Sequence, residues 1–161
     1  MDSDRSVVAL AAAVILALTL ASSPVFGIVT IPDDSPQRLG SGSATITIQS
    51  TPEEVTLEGG HYTDVHYLRV PEMSATVEDV SGSPVLTLSL AIRDIGYSRS
   101  SVYVLSEEMD GTHGFAIQED SIDSAKIRNG SYRGRLQVVL RDESGRTELV
   151  NEPVAVEVKD D

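Results

Sequence analysis

Pro84-Val85-Leu86-Thr87-Leu88-Ser89-Leu90-Ala91-Ile92, residues 84–92, carries the cleanest pattern in the chain. In a strand, successive side chains point to opposite faces, so Leu86, Leu88, Leu90 and Ile92 line one face and Thr87, Ser89 and Ala91 the other. A helix would scatter the same aliphatic residues around its axis. The run Ser81-Gly82-Ser83-Pro84 just before it reads as a turn.

The same period of two runs outward from this strand. Upstream, Ala44, Ile46 and Ile48 alternate with Thr45, Thr47 and Gln49. Val55 and Leu57 make a short strand closed by Gly59-Gly60, and residues 65–70 make another that stops at Pro71. Ala75 and Val77 alternate with Thr76 and Glu78 in a fourth. Downstream, Ser98, Ser100 and Ser101 around Arg99 read as a turn, Val102 and Val104 flank Tyr103 in a strand, and Phe115 and Ile117 form a short one. Leu136, Val138 and Leu140 lead through Asp142-Glu143-Ser144-Gly145 into a return strand with Val154, Val156 and Val158 inward. Pro153 in that return marks an edge or a bulge. No stretch keeps a helical period over three turns. About eight or nine short strands, with Gly, Pro, Asp and Ser between them, predict an all-β domain over residues 44–161, an antiparallel immunoglobulin-like β-sandwich. The term describes architecture only, because the two Cys and the core Trp of true immunoglobulin domains are absent.

Two further segments precede this ectodomain. Residues 32–43 (PDDSPQRLGSGS) have no face to bury and read as a flexible stalk. Residues 1–31 hold the apolar run Val7–Ala21 and resume apolar character from Val25 to Ile31, with no charge between Arg5 and Asp33. This is a signal or transmembrane segment. As an anchor, residues 7–31 exceed the roughly 20 residues that span a bilayer. As a cleaved signal, Val25 and Gly27 stand at the small-residue positions before Ile28. An anchor is favoured because no A-x-A site is present, and Arg5 favours a cytoplasmic N-terminus. The expected location is a single-pass membrane protein with its C-terminal domain outside the cell, or a secreted protein if the segment is removed.

The 161 residues contain 25 acidic and 12 basic side chains, a net charge of −13. A surface of that sign does not neutralise phosphates, which excludes nucleic acid as a partner. With no Cys in the chain, disulfides, thiolate metal sites and a Cys nucleophile are excluded too.

Residues with chemical potential are few. His61, Asp64 and His66 form the one cluster of ligand type, but on a continuous strand His61 and His66 point to opposite faces. A metal site there needs a turn at Tyr62-Thr63 and a third ligand such as His113, so no metal site is assigned. Glu107, Glu108 and Asp110 in a loop before Gly111 are the best acidic cluster for weak cation binding, yet they lack calcium-loop spacing. No G-x-S-x-G or triad pattern occurs, so no catalytic residue and no cofactor is assigned. Asn129-Gly130-Ser131 is an N-glycosylation sequon in a predicted turn. Arg133 and Arg135, with Arg128, form the one local basic patch. Pairing with carboxylates on the same surface is its expected role, and docking of an acidic partner or lipid headgroups is the sharper one.

Acid-rich composition, ten Arg against two Lys, small aliphatic core residues and no Cys resemble proteins of extremely halophilic archaea. The T-x-E-x-G-x-Y segment (Glu58, Gly60, Tyr62), Tyr67 to Pro71, and Arg93, Gly96 and Tyr97 are similar to small uncharacterised haloarchaeal cell-surface proteins. Such a resemblance implies a salt-adapted surface and no activity.

The leading expectation is a non-enzymatic cell-envelope protein, an extracellular interaction or structural module anchored in the membrane by its N-terminal helix. Its partners are then envelope proteins or other copies of itself. The alternative is a subunit of an extracellular filament assembled by β-strand donation, in which an exposed edge near the N-terminus accepts a strand. That alternative requires the 44–49 strand to lie at an edge. A secreted hydrolase, the third reading, requires carboxylates or histidines converging in a pocket.

Overall fold

The computed structural model describes residues 38–61 and 63–159. The N-terminal helix, its cleavage and most of the stalk lie outside the described residues.

Ten strands build two sheets: β1 (Ser41–Ser50), β2 (Glu54–Gly59), β3 (Val65–Arg69), β4 (Met73–Ser83), β5 (Val85–Ile92), β6 (Tyr97–Val104), β7 (Gly111–Phe115), β8 (Asp120–Asp123), β9 (Ser131–Asp142) and β10 (Gly145–Lys159). The small sheet has the order β1-β4-β7 and the large one β6-β5-β9-β10-β2-β3-β8. The Tyr97 hydroxyl on β6 donates to the Asp120 carboxylate on β8 at 2.9 Å, so the two ends of the large sheet are drawn together. The architecture is an all-β, mostly antiparallel curled sheet, a half-barrel. Antiparallel pairing fails at one place, where β10 runs parallel to β2 from Ala155↔Glu54 to Lys159↔Glu58.

Period-two alternation fixes which face is buried. On β5, Leu86, Leu88, Leu90 and Ile92 are buried, and on β9 Leu136, Val138 and Leu140 meet them across the ladder. Val55, Leu57, Leu68, Val154 and Val156 extend this core across β2, β3 and β10. Met73, Ala75, Val77 and Phe115 bring it the inner face of the small sheet. Each fully buried Leu or Val contributes about 1.5–3 kcal/mol relative to an exposed one.

Two local expectations are corrected, and one strand stands where none is expected. Ser81-Gly82-Ser83 is not a turn: it continues β4, with Gly82 opposite Gly42 of β1. A Cβ on Gly42 would stand 1.9 Å from the Ser81 carbonyl oxygen, so only glycine permits this approach. Ser98 to Ser101 are likewise strand, the middle of β6. Finally, β8 has a single buried residue, Ile122, and no alternation announces it. Pro153 lies in the part of β10 flanked by β9 alone, where the other side requires no N–H.

Candidate functional site: strand edges and an arginine-bearing sheet face

β1 pairs only with β4, so Ala44 to Gln49 lie at an edge of the small sheet. Its sequence, SGSATITIQS, has no charge and no Pro, the residues that normally guard an edge. Between register shifts at Ala44 and Gln49, Thr45 to Ile48 pair regularly with Glu78 to Ala75. Asp79 occupies the first shift with φ 54°, a left-handed conformation typical of bulges. Ala44, Ile46 and Ile48 face the core but are only half-buried, because no strand covers their outer flank among the described residues. Near the start of β1, the Glu143 amide donates to the Gly42 carbonyl at 2.9 Å, tying the strand to the β9–β10 turn.

The edge of the large sheet at β6 is built differently. Tyr97, Arg99, Ser101 and Tyr103 point inward and reach residues 116–120, the β7–β8 connection and the first residue of β8. The Tyr103 hydroxyl donates to the Ala116 carbonyl at 2.6 Å and accepts from the Ala116 amide at 2.9 Å. Ser101 Oγ accepts from the Gln118 amide at 3.1 Å, and Arg99 stands 3.6 Å from Asp120. The hydrogen bond from Tyr97, the Ser121 amide and nearby Arg99 hold the Asp120 carboxyl below the usual range. Burial and this same carboxylate push the Tyr97 phenol up. Phe115 packs edge-on against the Tyr103 ring at 5.1 Å.

The outward face of β6, β5, β9 and β10 is read from register. One row runs Val104, Val85, Arg141, Arg146; the next runs Val102, Thr87, Val139, Glu148. Ser100, Ser89, Gln137 and Asn151 follow, then Ser98, Ala91, Arg135 and Pro153. Arg133 lies beyond, and Arg93 shares a groove with Arg135. Arg135 donates to Asn151 Oδ1 at 2.6 Å; the Gln137 and Asn151 amides both donate to the Glu148 carboxylate and hold it below its ordinary range. Among the described residues the ion pairs are Arg69 with Glu58 and Glu119, Arg99 with Asp120, and Lys159 with Glu54. Arg133, Arg135 and Arg128 take part in none of them; of the expected pairing with surface carboxylates there remains the through-space attraction of Arg135, with Arg146, for Glu148.

The remaining singled-out residues fall apart. His61 is not on a strand but in a turn closed by Gly60 N to the Val65 carbonyl, so it lines the same shallow recess as His66. His66 points inward from β3, and its Nδ1 lies 2.9 Å from Ser124 Oγ. The Ser124 amide donates to the Asp64 carbonyl, so this contact fastens the one-turn helix Ser124–Lys126 to β3. His113 is on β7 in the other sheet, beside the Phe115 ring. Among the described residues no three His, Asp or Glu converge as a metal group, and this includes Glu107, Glu108 and Asp110. Asn129 lies exposed in the turn before β9, where the buried Tyr132 hydroxyl accepts from the amides of Arg128 and Asn129. No helix among the described residues is long and apolar enough to cross a membrane.

No family model and no curated protein matches the chain, so its likeness to haloarchaeal surface proteins gains no support there. Among solved structures it is similar to AggA, the major subunit of aggregative adherence fimbriae type I from Escherichia coli. The two share 11% identity over 74% of this chain and 97% of that one, with a TM-score of 0.37, a likeness that transfers no property to this chain.

Proposed function

We propose that the chain is a non-enzymatic subunit of an extracellular assembly, held at the cell surface through its apolar N-terminal segment, and that the free edge of β1 accepts a strand from another copy. The observation that carries this reading is the unguarded edge: ten residues without a charge, in a chain in which 23% of residues are charged. Main-chain groups along an exposed edge pair with an incoming strand, and pockets for alternate side chains set its register. An added strand would also cover the half-buried flanks of Ala44, Ile46 and Ile48.

The test is the double variant Thr45→Lys/Thr47→Lys, which guards the edge at two exposed positions. Sedimentation and electron microscopy of the full chain in mild detergent should show polymers for the wild type and single copies for the variant, with unchanged circular dichroism. A wild type that stays monomeric at every concentration overturns the proposal, as does a variant that polymerises equally well.

A further inference from the structure

The arginine-bearing face has a feature that folding does not explain. Arg141 and Arg146 stand directly opposite each other on β9 and β10, and like charges in that position destabilise a sheet. Neither has a carboxylate within ion-pair distance among the described residues, although acids outnumber bases two to one in the chain. Arg133 and Arg135 project from the same face two residues apart, and Arg93 flanks them. The carboxylates set among them are Glu148, engaged by the Asn151 and Gln137 amides and attracted through space by Arg146 and Arg135, with Asp94 beside Arg93 and Glu157 opposite Ser131 at the far end. Val102 and Val104, 63% and 47% exposed, border the rows with apolar surface. Five guanidiniums stand against three carboxylates with no ion pair closed among them in the described residues, and the excess positive charge forms a receptor for carboxylates.

The complementary surface is on the same molecule. Glu78 and Asp79 sit on β4, and Gly111 pairs with Val77, which places Asp110 beside Glu78. The one-turn helix Glu107–Met109 packs against β4 and adds Glu107 and Glu108. All five carboxylates are exposed, and no Lys or Arg occurs in residues 70–92 or 100–125. The arginine face holds no aromatic ring on which a sugar would stack, whereas this corner offers five carboxylates for five guanidiniums.

We infer that the arginine face of β6, β5, β9 and β10 docks the acidic β4 corner, around Glu78 and Glu107, of a second copy of this chain. The contact is head-to-tail, so its repetition builds a ring or a filament. It rests on the reading of the chain as self-associating, but it uses a surface other than the β1 edge.

Charge reversal tests the pairing. Arg133→Glu/Arg135→Glu and Glu107→Arg/Glu108→Arg are each made in the full chain. They are studied at about 0.15 M salt, where charges act over about 8 Å, with circular dichroism to verify folding. Each variant alone should associate at least about tenfold more weakly than the wild type, a change of about 1.4 kcal/mol. An equimolar mixture of the two should regain association, because each variant's intact surface meets the other's and the two reversed surfaces complement each other. Unchanged association of either variant, or a mixture that stays as weak as its parts, overturns the inference. So does loss of dextran sulfate binding in the Arg variant with self-association intact, which would make a polyanion the occupant. If Thr45→Lys/Thr47→Lys still polymerises while the charge variants do not, the edge reading fails and the docking face stands. If only the threonine variant loses association, the reverse holds.

Discussion

β1 and β6 are the two long edge strands among the described residues, and they meet opposite fates. β6 spends every second side chain on its own chain: Tyr97, Ser101 and Tyr103 donate to or accept from the segment 116–120, and Arg99 faces Asp120. That edge is sealed by hydroxyls. β1 has the same length within two residues, yet its outward Ser43 and Gln49 reach only sideways, to Ser81 and Thr76 of β4. Its flank stays open. The difference teaches that an edge is closed by side chains that bend back over it, and the outward side chains of β1, short except for Gln49, leave its flank uncovered.

Tyr103→Phe should break the comparison most. It removes one hydroxyl that serves both the amide and the carbonyl of Ala116, so urea unfolding should show a loss of about 2 kcal/mol. A smaller effect follows from acid. The Asp120 carboxyl is held below its usual range in the folded chain, so its contribution is complete above about pH 4, the ordinary value for an unfolded Asp. It is lost as pH falls through the lowered folded value. Tyr97→Phe removes the largest cause of that lowering. It should cost about 1 kcal/mol at neutral pH and flatten the acid limb of a stability-versus-pH curve. If the limb keeps its slope, the β6–β8 contact is not what closes the sheet. Least of all, Thr45→Lys/Thr47→Lys should leave monomer stability within about 0.5 kcal/mol, since both side chains are exposed. A large loss there would mean that β1 is not a free edge.

Much of this was legible in the sequence, for identifiable reasons. Leu86 to Ile92 announce β5 because the strand has one wholly apolar face, and β1, β9 and β10 follow the same rule. β8 was not legible because Asp-Ser-Ile-Asp buries one residue. The first half of β6 passed for a turn because its inward side chains, Tyr97, Arg99 and Ser101, are polar. They point inward to partners 17 to 23 positions away, the Gln118 amide and the Asp120 carboxylate. Of the candidate site, the strand at Ala44 to Gln49 was visible, but its place at an edge was not. Edge position is a property of pairing, and the one partner, β4, begins more than 20 residues downstream. Arg133 and Arg135 share a face by parity alone, whereas Arg141 and Arg146 become a pair only through the register of β9 with β10.

The parallel ladder between β2 and β10 has a consequence for the order of events. β10 alone joins β6-β5-β9 to β2-β3-β8. A chain emerging from the ribosome or a translocation pore makes β2 before the other strands of the large sheet and β10 after them, so Glu54 waits about a hundred residues for Ala155. Until then β2 presents a bare flank, and long-range closure of this kind is slow and exposed to wrong partners. The step that completes this domain is therefore its last one, and whatever shelters a nascent copy has to shelter β2 until that moment.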